Sequence, residues 1–266
     1  ELWMRDFIAA GRGRSPSADG FTKQQVASAF QRLRLCSPGI DGVSKMRLKP
    51  LLDALLPAVT ALFSYVYSHG IAMPSWSIAV IISIKKKDQS LTDMNNFRGI
   101  HLLSFYRQWH AMCLLPSLVA LAGQRVPIEQ QGFARGRRIY GSYLALYAMI
   151  ERARVNGNRL YVAFVDVKKA FPSVRRDMLF KKLSALGASD QLTRALIELY
   201  NDACATVRGP DGFSSVFNID LGTREGGVES PLLYVLFVAD LIDELNLENL
   251  TDSSLELNGR PIRASS

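Results

Sequence analysis

Residues 160–174 read L-Y-V-A-F-V-D-V-K-K-A-F-P-S-V, and the fold turns on them. The run from Leu160 to Val165 is rich in β-branched and aromatic residues, the composition of a buried strand. It ends on one carboxylate, Asp166. Five residues on stands Phe171, where the chain turns toward a basic helix. An acid at a strand end, facing a groove, suits a divalent metal. Mg²⁺ takes oxygen ligands, usually one or two protein carboxylates together with substrate phosphates. The plainer alternative is a core strand, with Val162 and Phe164 buried in it and Asp166 capping the next helix. The order of the segments around it weighs between the two.

Upstream, Phe21–Leu35 has helical periodicity with Thr22 as N-cap, and S-P-G-I-D-G at 37–42 is turn chemistry. An apolar helix spans Leu48–His69, bent at Pro57 and closed by Gly70. Trp76–Ile84 is a β-branched strand, and Lys85, Lys86, Lys87 and Asp88 follow it as a charged turn. The pattern predicts helices over His101–Leu121, broken near Pro116, and over Tyr140–Val155. Downstream, helices are expected near 175–186 and 190–201. Strands at Ala205–Arg208 and Ser215–Ile219 follow, joined through Gly209-Pro210-Asp211-Gly212. An apolar helix from Pro231 to Leu245 precedes a second hairpin at 255–262, turning at Asn258-Gly259.

The chain has 266 residues, 48% of them hydrophobic and 21% charged, enough to bury a sizeable core. Its net charge of +8 is unevenly spread. Residues 1–200 carry +15 and residues 201–266 carry −7, so a polyanion-binding face belongs to the first 200 residues. Cys36, Cys113 and Cys204 lie far apart without C-x-x-C spacing. That argues against a disulfide framework and against zinc, and fits a reducing intracellular compartment. His69, His101 and His110 lack metal-ligand spacing and read as helix-surface or satisfied polar residues. No apolar run reaches the length of a membrane span, and no leader pattern opens the chain. It begins at Glu1 and reads as a processed, trimmed or partial polypeptide.

Four basic or acidic segments align in order. Lys85 and Lys86 follow a strand, Arg98 follows a turn, then come Asp166 with Phe171, and finally L-G-T-R-E-G-G-V-E-S-P at 221–231 opens a helix. Basic residues on one lobe can clamp a triphosphate while a carboxylate on the other holds its metal. The Gly226-Gly227 pair lets backbone approach a substrate closely. With the segments quoted, M-P-S-W-S-I-A-V-I-I-S-I-K-K-K-D (73–88), N-N-F-R-G-I-H-L-L-S (95–104) and Q-Q-G-F-A-R-G-R-R (130–138) complete a series of six. In this order they resemble the fingers and palm of a reverse transcriptase of the non-LTR retrotransposon and group II intron type.

The resemblance implies an α+β fold, a right-hand fingers–palm arrangement with a small antiparallel sheet packed on helices. It implies an N-terminal helical extension over 1–36, a fingers-like region over 37–159 and a palm-like region over 160–266. Asp166 would be the catalytic, metal-binding carboxylate, with Mg²⁺ as cofactor in an active enzyme. Phe171 would gate the incoming sugar. Lys85, Lys86 and Arg98 would face the triphosphate, and Arg224, Glu225 and Gly226 would lie beside the nucleotide and template. Gln131, Phe133, Arg135, Arg137, Arg138, Lys168 and Lys169 would contact nucleic acid.

The sequence departs from that family at Glu225, where the pattern has Gln, at Pro172, where Asp is frequent, and at Gly99, where Pro fixes a turn. The family's A-D-D carboxylates, expected shortly after Arg263, and its thumb are not within the 266 residues. Two functions follow as expectations. One is an RNA-binding, reverse-transcriptase-like component of a ribonucleoprotein, such as an organellar ribosome, inactive as a polymerase by itself. The other is the N-terminal part of an active RNA-directed DNA polymerase. The expected partners are RNA and other protein subunits, without a membrane, in a mitochondrial or nuclear setting.

Overall fold

The computed structural model describes residues 20–86, 90, 92–93, 96–134, 136–241, 255–257 and 260–262. The first helix, α1 (Lys23–Arg32), starts as the sequence predicts. Thr22 Oγ1 accepts from the Gln25 N–H, and the Thr22 N–H donates to Gln25 Oε1, a reciprocal capping box. A short α2 (Lys45–Leu48) passes through a 3₁₀ turn at Lys49–Leu51 into α3 (Leu52–His69). Gly70 ends α3 at φ +59°, the left-handed conformation glycine adopts without a Cβ penalty.

The strand after Trp76 forms as β1 (Ile78–Lys85). It pairs antiparallel with β2 (Phe97–Leu102), in register from Val80↔Leu102 to Lys85↔Phe97. This moves His101 out of the expected helix and into a strand. The ladder pairs six residues of β2 with β1, a partnership that a local helix signal does not reveal. Helix α4 (Phe105–Arg125) then begins on Ser104 and runs through Pro116 without the expected break. Helices α5 (Ile139–Val155), α6 (Arg176–Ala185) and α7 (Asp190–Tyr200) follow. Next come β3 (Cys204–Gly209), β4 (Gly212–Phe213), β5 (Phe217–Asn218) and α8 (Ser230–Phe237). The last pair, β6 (Leu255–Leu257) and β7 (Arg260–Ile262), is antiparallel as expected. The expected turn at 258–259, and the continuation of α8 beyond 241, lie outside the described residues.

The main sheet is mixed rather than antiparallel. Its order is β2-β1-β3-β4, with β5 also on β3. β1 and β3 are parallel, from Ile78↔Cys204 to Ile81↔Val207. Parallel neighbours need a long crossover, and the helices between Leu102 and Cys204 supply it. The class is α+β.

One core runs through residues from all three expected regions: Phe30 of α1, Phe63 of α3, Trp109 of α4, Phe180 of α6, Leu196 of α7 and Leu233 of α8. Trp109 packs between Phe30 (4.8 Å, tilted) and Phe63 (5.6 Å, edge-on), and its indole N–H donates to the Val26 carbonyl. The helix over 45–69 is long and apolar enough, by length and composition, to cross a membrane, which corrects the reading that no run is. Its Val59, Phe63 and Val66 are buried in the core, and 22% of its apolar window is buried.

The largest correction concerns the opening stretch. Residues 160–166 form no strand, and no described strand pairs with them. Tyr161, Phe164 and Val165 are 84%, 85% and 91% exposed, and Val162 is exposed too. An extended segment without a ladder partner leaves its backbone groups to water and gives its side chains no sheet face to cover. Val162 and Phe164 are therefore not core residues in this structure.

His110 was expected to be surface or satisfied, and is neither. It is buried among Phe21, Phe63 and Trp76, and neither ring nitrogen has a hydrogen-bond partner among the described residues. Burial, reinforced by the charge of Arg107, pushes its imidazole down to about 3, with Glu229 opposing. The folded state thus holds His110 neutral while the unfolded chain protonates it near its ordinary value of about 6.5. The unfolded state binds more protons below that value, so stability falls as pH drops from about 6.5 toward the folded value. Wild-type protein should melt several degrees lower at pH 5 than at pH 7, and His110→Phe should flatten that dependence. Parallel melting curves for both proteins at the two pH values check it, and an equal fall in both would count against His110.

Candidate nucleotide and nucleic-acid site

The site is built where two turns meet. Residues 167–173 form a tight turn in which Lys169 takes φ +53° and the Ser173 N–H donates to the Lys169 carbonyl. The turn before α8 bonds directly to it. The Thr223 N–H donates to the Phe171 carbonyl and the Gly222 N–H to the Val174 carbonyl, both at 2.9 Å. A Cβ at Gly222 would stand 2.6 Å from Pro172 Cα, so only glycine permits this approach. Arg176 secures the same turn from behind, donating to the carbonyls of Gly222, Leu221 and Tyr200.

Phe171 is half-buried and sits in an aromatic column. Its ring packs against Tyr234 of α8 at 5.2 Å and against Phe133 at 6.2 Å, edge-on. The phenol of Tyr234 is raised above its ordinary value, first by burial and then by the charge of the Asp166 carboxylate. Asp166, Lys168 and Lys169 are solvent-exposed. The structure thus brings together Phe133 and Phe171, two residues singled out from the sequence, and adds Tyr234, whose phenol senses the charge of Asp166. The sequence signal for Tyr234 was slight: an aromatic four residues after Ser230 in an apolar helix reads as core.

The second cluster lies along β2. Ile84↔Arg98 and Lys85↔Phe97 are ladder neighbours, and the Lys86 N–H donates to the Asn96 carbonyl. Lys85, Lys86 and Arg98 therefore lie at one end of the β1–β2 pair, with Arg98 on the face of Ile84 and Lys85 on the other. Gly226 lies against the same strand. At φ +91°, a Cβ there would fall 2.6 Å from the His101 carbonyl oxygen. Glu225 is half-buried. Its carboxyl is raised by burial while Arg98 pulls the other way, so the two side chains sense each other.

Arg224 departs from expectation. It is fully buried, and Nη2 donates to the Ser77 carbonyl at 2.5 Å, ahead of β1. Burial and repulsion from Arg107 lower its guanidinium to about 9. It frames the turn from inside and does not face a groove. Beside it the His101 imidazole is lowered to about 4, by burial and by Arg224. Arg137 is likewise occupied, donating to the carbonyls of Pro127, Gln130 and Val126 so that it ties the 126–130 loop. Gln131 is half-buried and donates to the Ile128 carbonyl. Arg138, the residue before α5, is exposed, and Arg135 lies outside the described residues.

Among the described residues no cluster of three or more His, Cys, Asp or Glu side chains could hold a metal. Asp166 by itself fits a Mg²⁺ shared with substrate phosphates, which needs only one or two protein carboxylates. The cysteines are free, and burial raises the Cys113 thiol to about 12, which leaves it protonated and unreactive.

With the fold and the two turns described, comparison with known proteins supplies the class of domain. Residues 84–257 match the family described as reverse transcriptase (RNA-dependent DNA polymerase). The chain belongs to that family, as a reverse transcriptase domain of the non-LTR retrotransposon type. It is 26% identical over 221 residues to a probable RNA-directed DNA polymerase from transposon BS of Drosophila melanogaster, covering 82% of this chain and 24% of that protein. It is 27% identical over 227 residues to the RNA-directed DNA polymerase from mobile element jockey of the same species, covering 83% and 24%. A Pol polyprotein from the type-1 retrotransposable element R2 of Popillia japonica is 23% identical over 224 residues, covering 84% and 30%. The chain thus spans about a quarter of the length of these relatives.

Proposed function

We propose that this chain is the fingers and palm portion of an RNA-directed DNA polymerase, and that its two turns form the nucleotide side of the site. The observation that carries the reading is the packing of Phe171 between Phe133 and Tyr234, with the Tyr234 phenol sensing the Asp166 charge. Phosphoryl transfer asks a protein mainly for positioning and charge neutralisation, and the residues here suit both tasks. Asp166 would hold Mg²⁺, which when bound neutralises phosphate charge. Lys85, Lys86 and Arg98, at one end of the β1–β2 pair, would take the triphosphate oxygens. Phe171, fixed from both sides by aromatic rings, would bound the sugar. Glu225 and Gly226 would lie beside the base, with Arg98 offsetting the carboxylate that stands where the family has an amide. Phe133, Arg138, Lys168 and Lys169 would follow the RNA strand, with Gln131 and Arg137 shaping the loop that carries Phe133.

The test is primer extension on an RNA template, with Mg²⁺ and deoxynucleotides, by the full-length protein. Extension should occur, and Asp166→Asn should lower it about 100-fold or more while leaving RNA affinity unchanged. Absence of extension with RNA binding retained would defeat the polymerase reading. It would favour the chain's being an RNA-binding component of a ribonucleoprotein.

A further inference from the structure

The turn that carries Glu225 is gripped by two consecutive side chains of α4, more than a hundred residues away in the chain. Gln108 is buried, and its carboxamide makes both of its bonds to the turn's backbone. Nε2 donates to the Gly226 carbonyl at 2.6 Å, and Oε1 accepts from the Val228 N–H at 3.3 Å. One step along the helix, Arg107 Nη2 donates to Glu229 Oε1 at 2.7 Å. The start of α4 is itself pinned. Asp41 Oδ2 accepts from Ser104 Oγ at 2.8 Å and from the Phe105 N–H at 3.0 Å, so the 37–43 turn fixes the helix end that holds Gln108.

We propose that Gln108 is a positioning residue of the nucleotide site. A carboxamide offers a donor and an acceptor on one flat group, and here it meets a carbonyl and an N–H two residues apart. Neither a carboxylate nor an apolar side chain of that length can satisfy both. With the 226–228 backbone held, Gly226 stays pressed against the His101 carbonyl and Glu225 keeps its place near Arg98. The sequence shows nothing of this, because Gln108 falls in an apolar helical segment and bears no motif.

The proposal rests on the polymerase reading, and the experiment separates the two. Gln108→Met removes both bonds at similar volume. In the full-length protein it should raise KM for dTTP about tenfold on a poly(rA)·oligo(dT) substrate, with kcat little changed. Hydrogen exchange of the 224–230 peptide should speed up about tenfold while peptides of α3 stay as in wild type. Trp109→Phe, its neighbour in the core, serves as the control. It should lower the melting temperature without shifting KM. Unchanged exchange at 224–230 would overturn the proposal, and so would faster exchange with KM unmoved. If wild type fails to extend primers, the polymerase reading fails. The exchange measurement then decides alone whether Gln108 holds the turn.

Discussion

Glu229→Ala should cost the protein about 3–5 kcal/mol of stability, the range for breaking one side of a buried ion pair. Arg107 and Glu229 are both fully buried and meet at 2.7 Å. Tyr200 adds its hydroxyl to the same carboxylate oxygen at 3.0 Å and touches Ser230 Oγ at 3.1 Å. Ser230 Oγ in turn donates to the Arg224 carbonyl at 2.7 Å. Burial by itself would raise the Glu229 carboxyl, but the charge and hydrogen bond of Arg107, with the Tyr200 hydroxyl, hold it below its ordinary value. Its contribution is therefore present above the unfolded value of about 4.3 and is lost as pH falls through the folded one. Removal of the carboxylate leaves Arg107 buried and charged, with Nε and Nη1 already lacking partners among the described residues. Urea denaturation read by tryptophan fluorescence measures the loss. Arg107→Leu combined with Glu229→Leu should recover most of it, since apolar groups of similar volume replace buried pairs at little net cost. A single-variant loss below about 1 kcal/mol would show that the pair does not hold the turn.

RNA affinity should fall steeply with salt. Each phosphate neutralised on a single strand releases counterions and lowers log K by about 0.7 per log unit of salt, and by about 0.9 on a duplex. The +15 carried by residues 1–200 supplies the charge. The structure narrows which charges count. Arg138, Lys168 and Lys169 are exposed, whereas Arg137 is spent on backbone carbonyls and Arg224 is buried. Six or more phosphate contacts would weaken binding about a thousandfold between 50 and 200 mM salt. Reversing Arg138, Lys168 and Lys169 to Glu should flatten the slope by about two units or more. Arg137→Gln should leave the slope alone and loosen the 126–130 loop instead. Fluorescence anisotropy with a labelled single-stranded RNA across a salt series reads both effects. A flat slope in wild type, or an unchanged slope in the triple variant, would remove the basic face from the nucleic-acid site.

Much of the local architecture was legible in the sequence, because local signals act on neighbours. Thr22 and Gln25 cap α1, Gly70 ends α3, and Pro210-Asp211 turns β3 into β4 with Gly209↔Gly212 as the closing pair. Each depends on residues a few positions apart. The functional motifs were legible in the same way, as short patterns in a fixed order. They singled out Asp166, Phe171, Phe133, Lys85, Lys86 and Arg98; of these, Phe133 and Phe171 pack together, and Lys85, Lys86 and Arg98 lie at one end of the β1–β2 pair.

What the tertiary structure decided involves residues far apart in the chain. The run from Leu160 to Val165 has strand composition, but a strand exists only with a partner, and the described residues offer it none. Arg224 looked like a groove residue until the fold turned it toward Ser77, 147 positions away. His110 became a neutral core side chain because three aromatic rings from α3 and from the segments before α1 and β1 close around it. Gln108 carries no motif, and its two bonds to the 226–228 backbone arise only once α4 lies against the turn before α8. The sequence by itself determined the family, the helices with their caps, and the residue types available for chemistry. Only packing decided which charges are buried, which face solvent, and which side chain holds the turn, because desolvation and hydrogen-bond partners are set by neighbours in space.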